Sequence, residues 1–214
     1  MNAYLACYTE ATIANLLEVA LYHRETCEAA TDDTMLELTD WAQRHLVYLA
    51  DGRAAQDAAA NELGAKDLMA RTPSQDMQDK LKEVRFGVAL CALTINRYLT
   101  DYIHELPLCV MARMLDTNDL IMTLVPLLDA RPWVRRRKVN KKRVTEAFTD
   151  NRWTAVPTEE KLKLAKADAQ VWIALVNLMC DQKCRQKYHF DDYRQNQVAQ
   201  LKRYFNEVLK YRLS

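Results

Sequence analysis

Three glycines in 214 residues constrain this chain more than any other feature of its sequence. Phosphate-cradling loops, dinucleotide fingerprints and nucleophile elbows all need glycine where the backbone turns tightly or approaches a ligand. Two of the three, Gly52 and Gly64, share one alanine-rich stretch that reads as a linker, so none of these motifs is expected. Hairpin-rich β folds place Gly and Pro at their turns, and three glycines with five prolines are too few to punctuate a sandwich or barrel. The expectation is an all-α protein.

With 50% hydrophobic residues the chain is long enough for one sizeable core, and no Gly- or Pro-rich joint divides it. A single helical domain over residues 1–214 is expected. No apolar run reaches the ~18 to 20 residues of a membrane helix, and the opening MNAYLACYTEATI lacks the basic-then-apolar layout of a signal peptide. These features suggest a soluble, intracellular protein. Cys7, Cys27, Cys91, Cys109, Cys180 and Cys184 are scattered through helical pattern and read as reduced, mostly buried thiols. Residues 131–143 hold eight basic side chains and no acid; with +1 overall, the rest of the chain is net −7.

Thr9 reads as the cap of a first helix with Ile13, Leu16, Leu17, Ala20, Leu21 and Cys27 on one broad face. Asp32 or Asp33 caps a second, with Met35, Leu38, Ala42, Leu46 and Leu49 in a stripe. Bulky apolar residues nearly vanish over 50–75, predicting a mobile loop. The longest helix follows, with Leu81, Val84, Val88, Cys91, Ile95, Tyr98, Leu99 and Tyr102 in register, stopped by Pro107. A short helix spans about 108–115, and Asn118 caps a segment at 120–128 that is apolar on nearly every side, with Pro126 inside it.

Residues 131–156 show neither helical nor strand period and read as an irregular basic excursion. Pro157 and Thr158 open another helix, with Glu159 and Glu160 in its first turn and Leu162, Ala165, Ala169, Trp172, Ile173, Val176 and Met179 on its face. Trp172 is the expected core anchor. A last helix carries Val198, Leu201, Phe205, Val208 and Leu209, and the end at Ser214 without a closing cap suggests an excised fragment. Broad apolar faces on paired helices suggest layered pairs, an armadillo-like or HEAT-like α-solenoid fragment.

Polar constellations are sparse. Cys180, Cys184 and His189 have spacings that zinc tolerates, but a fourth ligand is missing and a helix end uses small hydrophobes equally well. His23 and Cys27 stand four apart with no third orienting group, so packing explains them better than nucleophilic catalysis. Asp32, Asp33, Asp191 and Asp192 stand at helix starts, where capping accounts for them. The distinctive cluster is Arg131, Arg135, Arg136, Arg137, Lys138, Lys141, Lys142 and Arg143, with Trp133 and Trp153 as stacking surfaces. It reads first as a solvated loop, second as a site for an acidic protein segment and third as a nucleic-acid contact, because the rest of the chain is net acidic. Nuclear import is a further use of such a run.

Three stretches carry a resemblance: EATIANLLEVALYHRETCEAA at 10–30, RMLDTNDLIMTLVPLLDARPWVRR at 113–136, and NRWTAVPTEEKLKLAKADAQVWIALVNL at 151–178. They resemble the middle part of the zinc finger MYND domain-containing protein ten family, dynein-arm preassembly factors of ciliated cells. The resemblance covers most of the chain and is weakest over 50–75 and after Arg137. It implies a cytoplasmic, non-catalytic co-chaperone adaptor in the assembly of axonemal dynein for motile cilia. The partners it implies are a leucine-rich-repeat assembly factor, Hsp90-linked co-chaperones including an FK506-binding immunophilin, and dynein intermediate or heavy chains. The family's name-giving zinc finger has closely spaced CxxC pairs that nothing here matches, so no zinc or other cofactor is carried over. The sequence reading is therefore a protein-binding scaffold without catalysis, with a nucleic-acid-binding helical module as the alternative.

Overall fold

The computed structural model describes residues 2–60, 72–139, 142–157, 159 and 163–204. Helices dominate: α1 (Asn2–Leu21), α2 (Arg24–Ala29), α3 (Asp32–Ala50), α4 (Arg53–Ala60), α5 (Pro73–Asp101), α6 (Leu108–Ala112) running into a π-helical turn at Arg113–Thr117, and α7 (Leu120–Ala130). Strands β1 (Val134–Val139), β2 (Lys142–Thr149) and β3 (Arg152–Ala155) follow, then α8 (Lys166–Cys180), α9 (Gln182–Lys187) and α10 (Asp192–Ala199). No helix among the described residues is long and apolar enough to cross a membrane.

The helix ends obey local chemistry, with some shifts from expectation. Thr9 lies inside α1 and donates its hydroxyl to the Leu5 carbonyl instead of capping. Thr31 caps α3 by accepting the Thr34 amide, and Asp32 and Asp33 occupy the first turn, where they complement the helix dipole. Thr72 and Gln75 form a capping box around Pro73 at the start of α5. Residue Asp119, in a left-handed conformation at φ 43°, precedes α7 in place of Asn118, whose side-chain amide donates to Asp40 instead. Asp191 does cap α10, accepting the Arg194 amide.

Part of the expected 50–75 loop is ordered as α4. Its small side chains are what allow this: Ala54 and Ala58 are buried, and Tyr48 of α3 donates to Asp57 at 2.9 Å. Residues 61–71, including Gly64, lie outside the described residues, as do Phe205, Val208 and Leu209.

Four helices close a ring around one core: α3 packs on α5, α5 on α8, α8 on α7, and α7 back on α3. Met35, Leu46 and Leu49 of α3, Leu93 and Leu99 of α5, Leu120, Leu124 and Leu127 of α7, and Val171, Leu175 and Leu178 of α8 are all buried within it. Burying each such side chain contributes about 1.5–3 kcal/mol. Helix α1 lies on the outer flank of α5 and is tied to α3 through Glu10, which accepts from Trp41 Nε1 at 2.9 Å and faces His45 Nε2 at 3.1 Å. A ring that closes on itself gives no support to the open row of layers expected of a solenoid, in which each repeat touches only its neighbours.

Two helix faces differ from their expected position. On α8 the buried residues are Val171, Ala174, Leu175 and Leu178, one step round from the expected set; Ile173 and Val176 are exposed and Trp172 is half-buried against Tyr204. This helix is apolar on most sides over 171–179, so periodicity alone does not fix its face. Nor does it begin at Pro157: it starts at Lys166, Glu159 stands outside it, and Thr158, Glu160 and Leu162 lie outside the described residues. On α1 the buried residues are Ala14 and Leu21, while Ile13 and Leu16 face outward.

The largest departure is at 131–156, which forms a three-stranded antiparallel sheet ordered β1-β2-β3 in place of an irregular excursion. Its junction with the helices is held by the carboxylate of Asp168 in the first turn of α8, only 2% exposed. Asp168 accepts from Arg131 Nε at 3.0 Å and Nη2 at 2.5 Å, from Trp133 Nε1 at 2.8 Å and from the Ala165 amide at 2.9 Å. Removing the carboxylate leaves the buried Trp133 Nε1–H without its acceptor and the Ala165 amide uncapped, and each such loss costs about 1–3 kcal/mol. Asp168→Ala should therefore lower the urea-derived unfolding free energy by roughly 3 kcal/mol or more.

Burial pushes the pKa of His45 below its ordinary value of 6.5, against the pull of Glu10. The unfolded chain then binds the proton more readily than the folded one, so stability is complete above pH 6.5 and falls as pH drops through and below it. His45→Gln should flatten the dependence of melting temperature on pH in that window.

Candidate interaction surface

The sheet is built from a sequence with almost no glycine because Asp150 and Asn151 replace it. Both are left-handed, at φ 51° and 59°, and they join the paired ends Thr149 and Arg152 in a two-residue turn of the type that matches strand twist. Gly87 of α5 lies beneath this turn, where a Cβ would come within 3.1 Å of Asn151 Oδ1. The glycine thus lets the turn approach the helix.

Alternation along paired strands divides the basic run between two faces. The register pairs Arg135 with Glu146, Arg137 with Val144 and Phe148 with Trp153, which places these residues on one face. That face is directed at the helices: Phe148 and Trp153 contact the ring of Phe86 in α5 at 4.8 and 5.6 Å, and Arg135 Nη1 donates to the Ala58 carbonyl of α4 at 3.0 Å. The Arg135 guanidinium lies 4.3 Å over the Trp153 ring and its Nε donates to Glu146 at 2.8 Å. Arg137 Nε stands 3.4 Å from the same carboxylate. Glu146 is buried, so it neutralises two arginines away from water.

The other face pairs Arg136 with Thr145, Ala147 with Val134 and Thr154, Thr149 with Arg152, and Lys138 with Arg143 in the ladder. Arg136, Arg143 and Arg152 are exposed, carry no ion pair among the described residues, and share this face with Thr145, Thr149 and Thr154 and no carboxylate. This is a strand-borne outer face of arginines and hydroxyls, backed by the clamped inner face.

The ten residues singled out in the sequence thus take different places. Arg131 is bound to Asp168 and Trp133 is 1% exposed in the core, so neither is open to a partner. Arg135, Arg137 and Trp153 belong to the inner face. Arg136 and Arg143 stand on the outer one, and the side chains of Lys138, Lys141 and Lys142 lie outside the described residues. Arg152 was missed because only a strand register, unreadable without the turn at Asp150 and Asn151, puts it on the same face as Arg136 and Arg143.

Elsewhere, Cys184 is buried and burial, followed by Asp181, pushes its thiol up to about 12, while Cys180 and His189 are exposed. Among the described residues no group of three or more His, Cys, Asp and Glu is placed to hold a metal ion. His23 precedes α2 and is exposed, whereas Cys27 is buried with its thiol pKa raised by burial.

No protein-family model matches the chain, and no solved structure matches it. A curated relative does. The chain is similar to the zinc finger MYND domain-containing protein 10 homolog of Drosophila melanogaster. Identity is 25% over 206 residues, taking in 96% of this chain and 44% of the fly protein. The chain thus spans less than half the length of the fly protein, and the match extends over the helical ring and the sheet alike. The resemblance carried by the three quoted stretches is met by this relative.

The two faces of the sheet make opposite predictions for stability. Glu146→Ala, which strands Arg135 and Arg137, should cost about 2 kcal/mol or more in urea unfolding, whereas Arg136→Glu on the outer face should stay within about 0.5 kcal/mol of the parent.

Proposed function

We propose that the chain acts by binding, without catalysis, as a helical scaffold whose outer sheet face holds an acidic segment of a protein partner. One observation carries this reading. Arg136, Arg143 and Arg152 are exposed, with Thr149 and no competing carboxylate on their face, on a sheet whose opposite face is fixed to α4 and α5. Guanidinium forks bind carboxylates bidentately, and strand-borne forks are held in a fixed relative position that lowers the entropy lost on binding.

The resemblance supplies the setting we propose: the cytoplasmic preassembly of axonemal dynein arms for motile cilia, with the chain as a co-chaperone adaptor. A leucine-rich-repeat assembly factor, Hsp90-linked co-chaperones including an FK506-binding immunophilin, and dynein intermediate or heavy chains are the proposed partners. No zinc or other cofactor is part of the proposal. A nucleic-acid backbone would meet the same arginines but ranks second, because the chain outside the basic run is net acidic and repels a polyanion.

The test is affinity capture from ciliating-cell cytosol read by mass spectrometry, beside a variant with Arg136, Arg143 and Arg152 changed to Glu. Recovery of dynein chains or chaperone factors by the parent, lost in the variant, is the expected result. Equal recovery by both would remove the sheet face from the account. Salt-sensitive retention of an oligonucleotide with no protein recovered would favour the second reading.

A further inference from the structure

Helix α1 has a second apolar face that its packing on α5 does not use. Leu5, Tyr8, Leu16 and Val19 are all exposed on it, Leu16 and Val19 by 67% and 68%. The only charged residues of α1 are Glu10 and Glu18, and neither is among its exposed residues, so this face is uncharged. A helix that is apolar all round is normally buried on both sides. At about 200 Å² for a large side chain, these four residues, each more than half exposed, leave on the order of 500 Å² of mainly apolar surface open. That is at the upper end of the apolar patch a monomer exposes, where such patches are often functional, and about two-thirds of the ~800 Å² per partner of a standard protein–protein interface.

We infer that this face is where a second copy of the chain docks, through antiparallel pairing of α1 with its counterpart about a two-fold axis at Thr12. The spacing carries the choice of occupant. Leu5, Tyr8, Thr12, Leu16 and Val19 recur at three and four residues, so they form one stripe. The stripe is symmetric about Thr12. Reversing one copy sets Leu5 against the partner's Val19 and Tyr8 against the partner's Leu16, with the small Thr12 at the axis where helices approach most closely. An isologous interface needs a patch complementary to itself, and an uncharged apolar stripe with this symmetry meets that need. With no charge on the face, an acidic or basic partner gains nothing there by complementarity. The surface is separate from the arginine face of the sheet, so this inference stands or falls independently of the proposed function.

The experiment is sedimentation equilibrium of the 214-residue chain up to about 100 µM, well above the micromolar weak end of interfaces of this size. The parent, Leu16→Glu with Val19→Glu, and Thr12→Cys would be compared. The expected result is a dimer for the parent and, for the double variant, a monomer of unchanged helix content that still unfolds cooperatively, at a melting temperature that no longer rises with protein concentration. In a background with Cys109 and Cys180 changed to Ser, Thr12→Cys should give a disulfide-linked dimer under oxidised glutathione that the background alone does not form. A parent that stays monomeric at the highest concentration overturns the inference, as does a dimer that survives the double substitution. A monomeric parent that captures another protein through α1, with loss in the double variant, would assign the face to that protein and overturn it equally.

Discussion

A single buried carboxylate joins the two kinds of structure in this protein. Asp168 takes four hydrogen bonds, two from Arg131, one from Trp133 and one from the Ala165 amide. Through the first two residues it fixes the departure of the chain from α7 into β1, and through the amide it fixes the start of α8. Arg131 follows α7 at φ 40°, a left-handed conformation that usually falls to glycine, and its bidentate pairing helps hold a non-glycine residue there. A charge this deeply buried is tolerable only when its lone pairs are filled, so the geometry on both sides is constrained together.

Once that junction is set, the sheet sorts its own arginines. Strand alternation directs Arg135 and Arg137 inward, where Glu146 and Trp153 neutralise and stack on them, and directs Arg136 outward. A run of like charge that would repel itself in a loop becomes a two-sided element, one side serving stability and the other free for contact. The helical ring contributes rigidity. Phe86 and Gly87, adjacent on α5, receive the aromatic pair and the turn respectively.

The helical part of this design is legible in the sequence because caps and long apolar stripes dominate it. Met35, Leu46 and Leu49 on α3 and Leu99 on α5 occupy the positions their spacing indicates. Where a helix is apolar on most sides, as in α1 and α8, spacing cannot choose the face, and tertiary anchors such as Glu10 and Asp168 make the choice. The sheet escaped notice for a different reason. Glycine scarcity argues against hairpins only if glycine is the sole residue able to adopt positive φ, and Asp150 and Asn151 do so here. The isolated Gly87 within a helical pattern was the available signal, since an interior helical glycine costs about 0.5–1 kcal/mol unless something must come close. For the candidate surface, the residue types at Arg136 and Arg143 were evident, but their division from Arg135 and Arg137 depends on register.

The most direct measurement is amide hydrogen exchange, followed by NMR, on the parent chain and on Asp168→Asn. In the parent, the central-strand amides over 143–148 should exchange slowly, alongside those of α8. In the variant the strand amides should exchange faster, while those of α3 and α5 keep their protection. Unprotected exchange over 143–148 in the parent would contradict the account, because the basic run would then be a solvated loop with no fixed outer face. Unchanged protection in the variant would show that Asp168 does not hold the sheet to the ring.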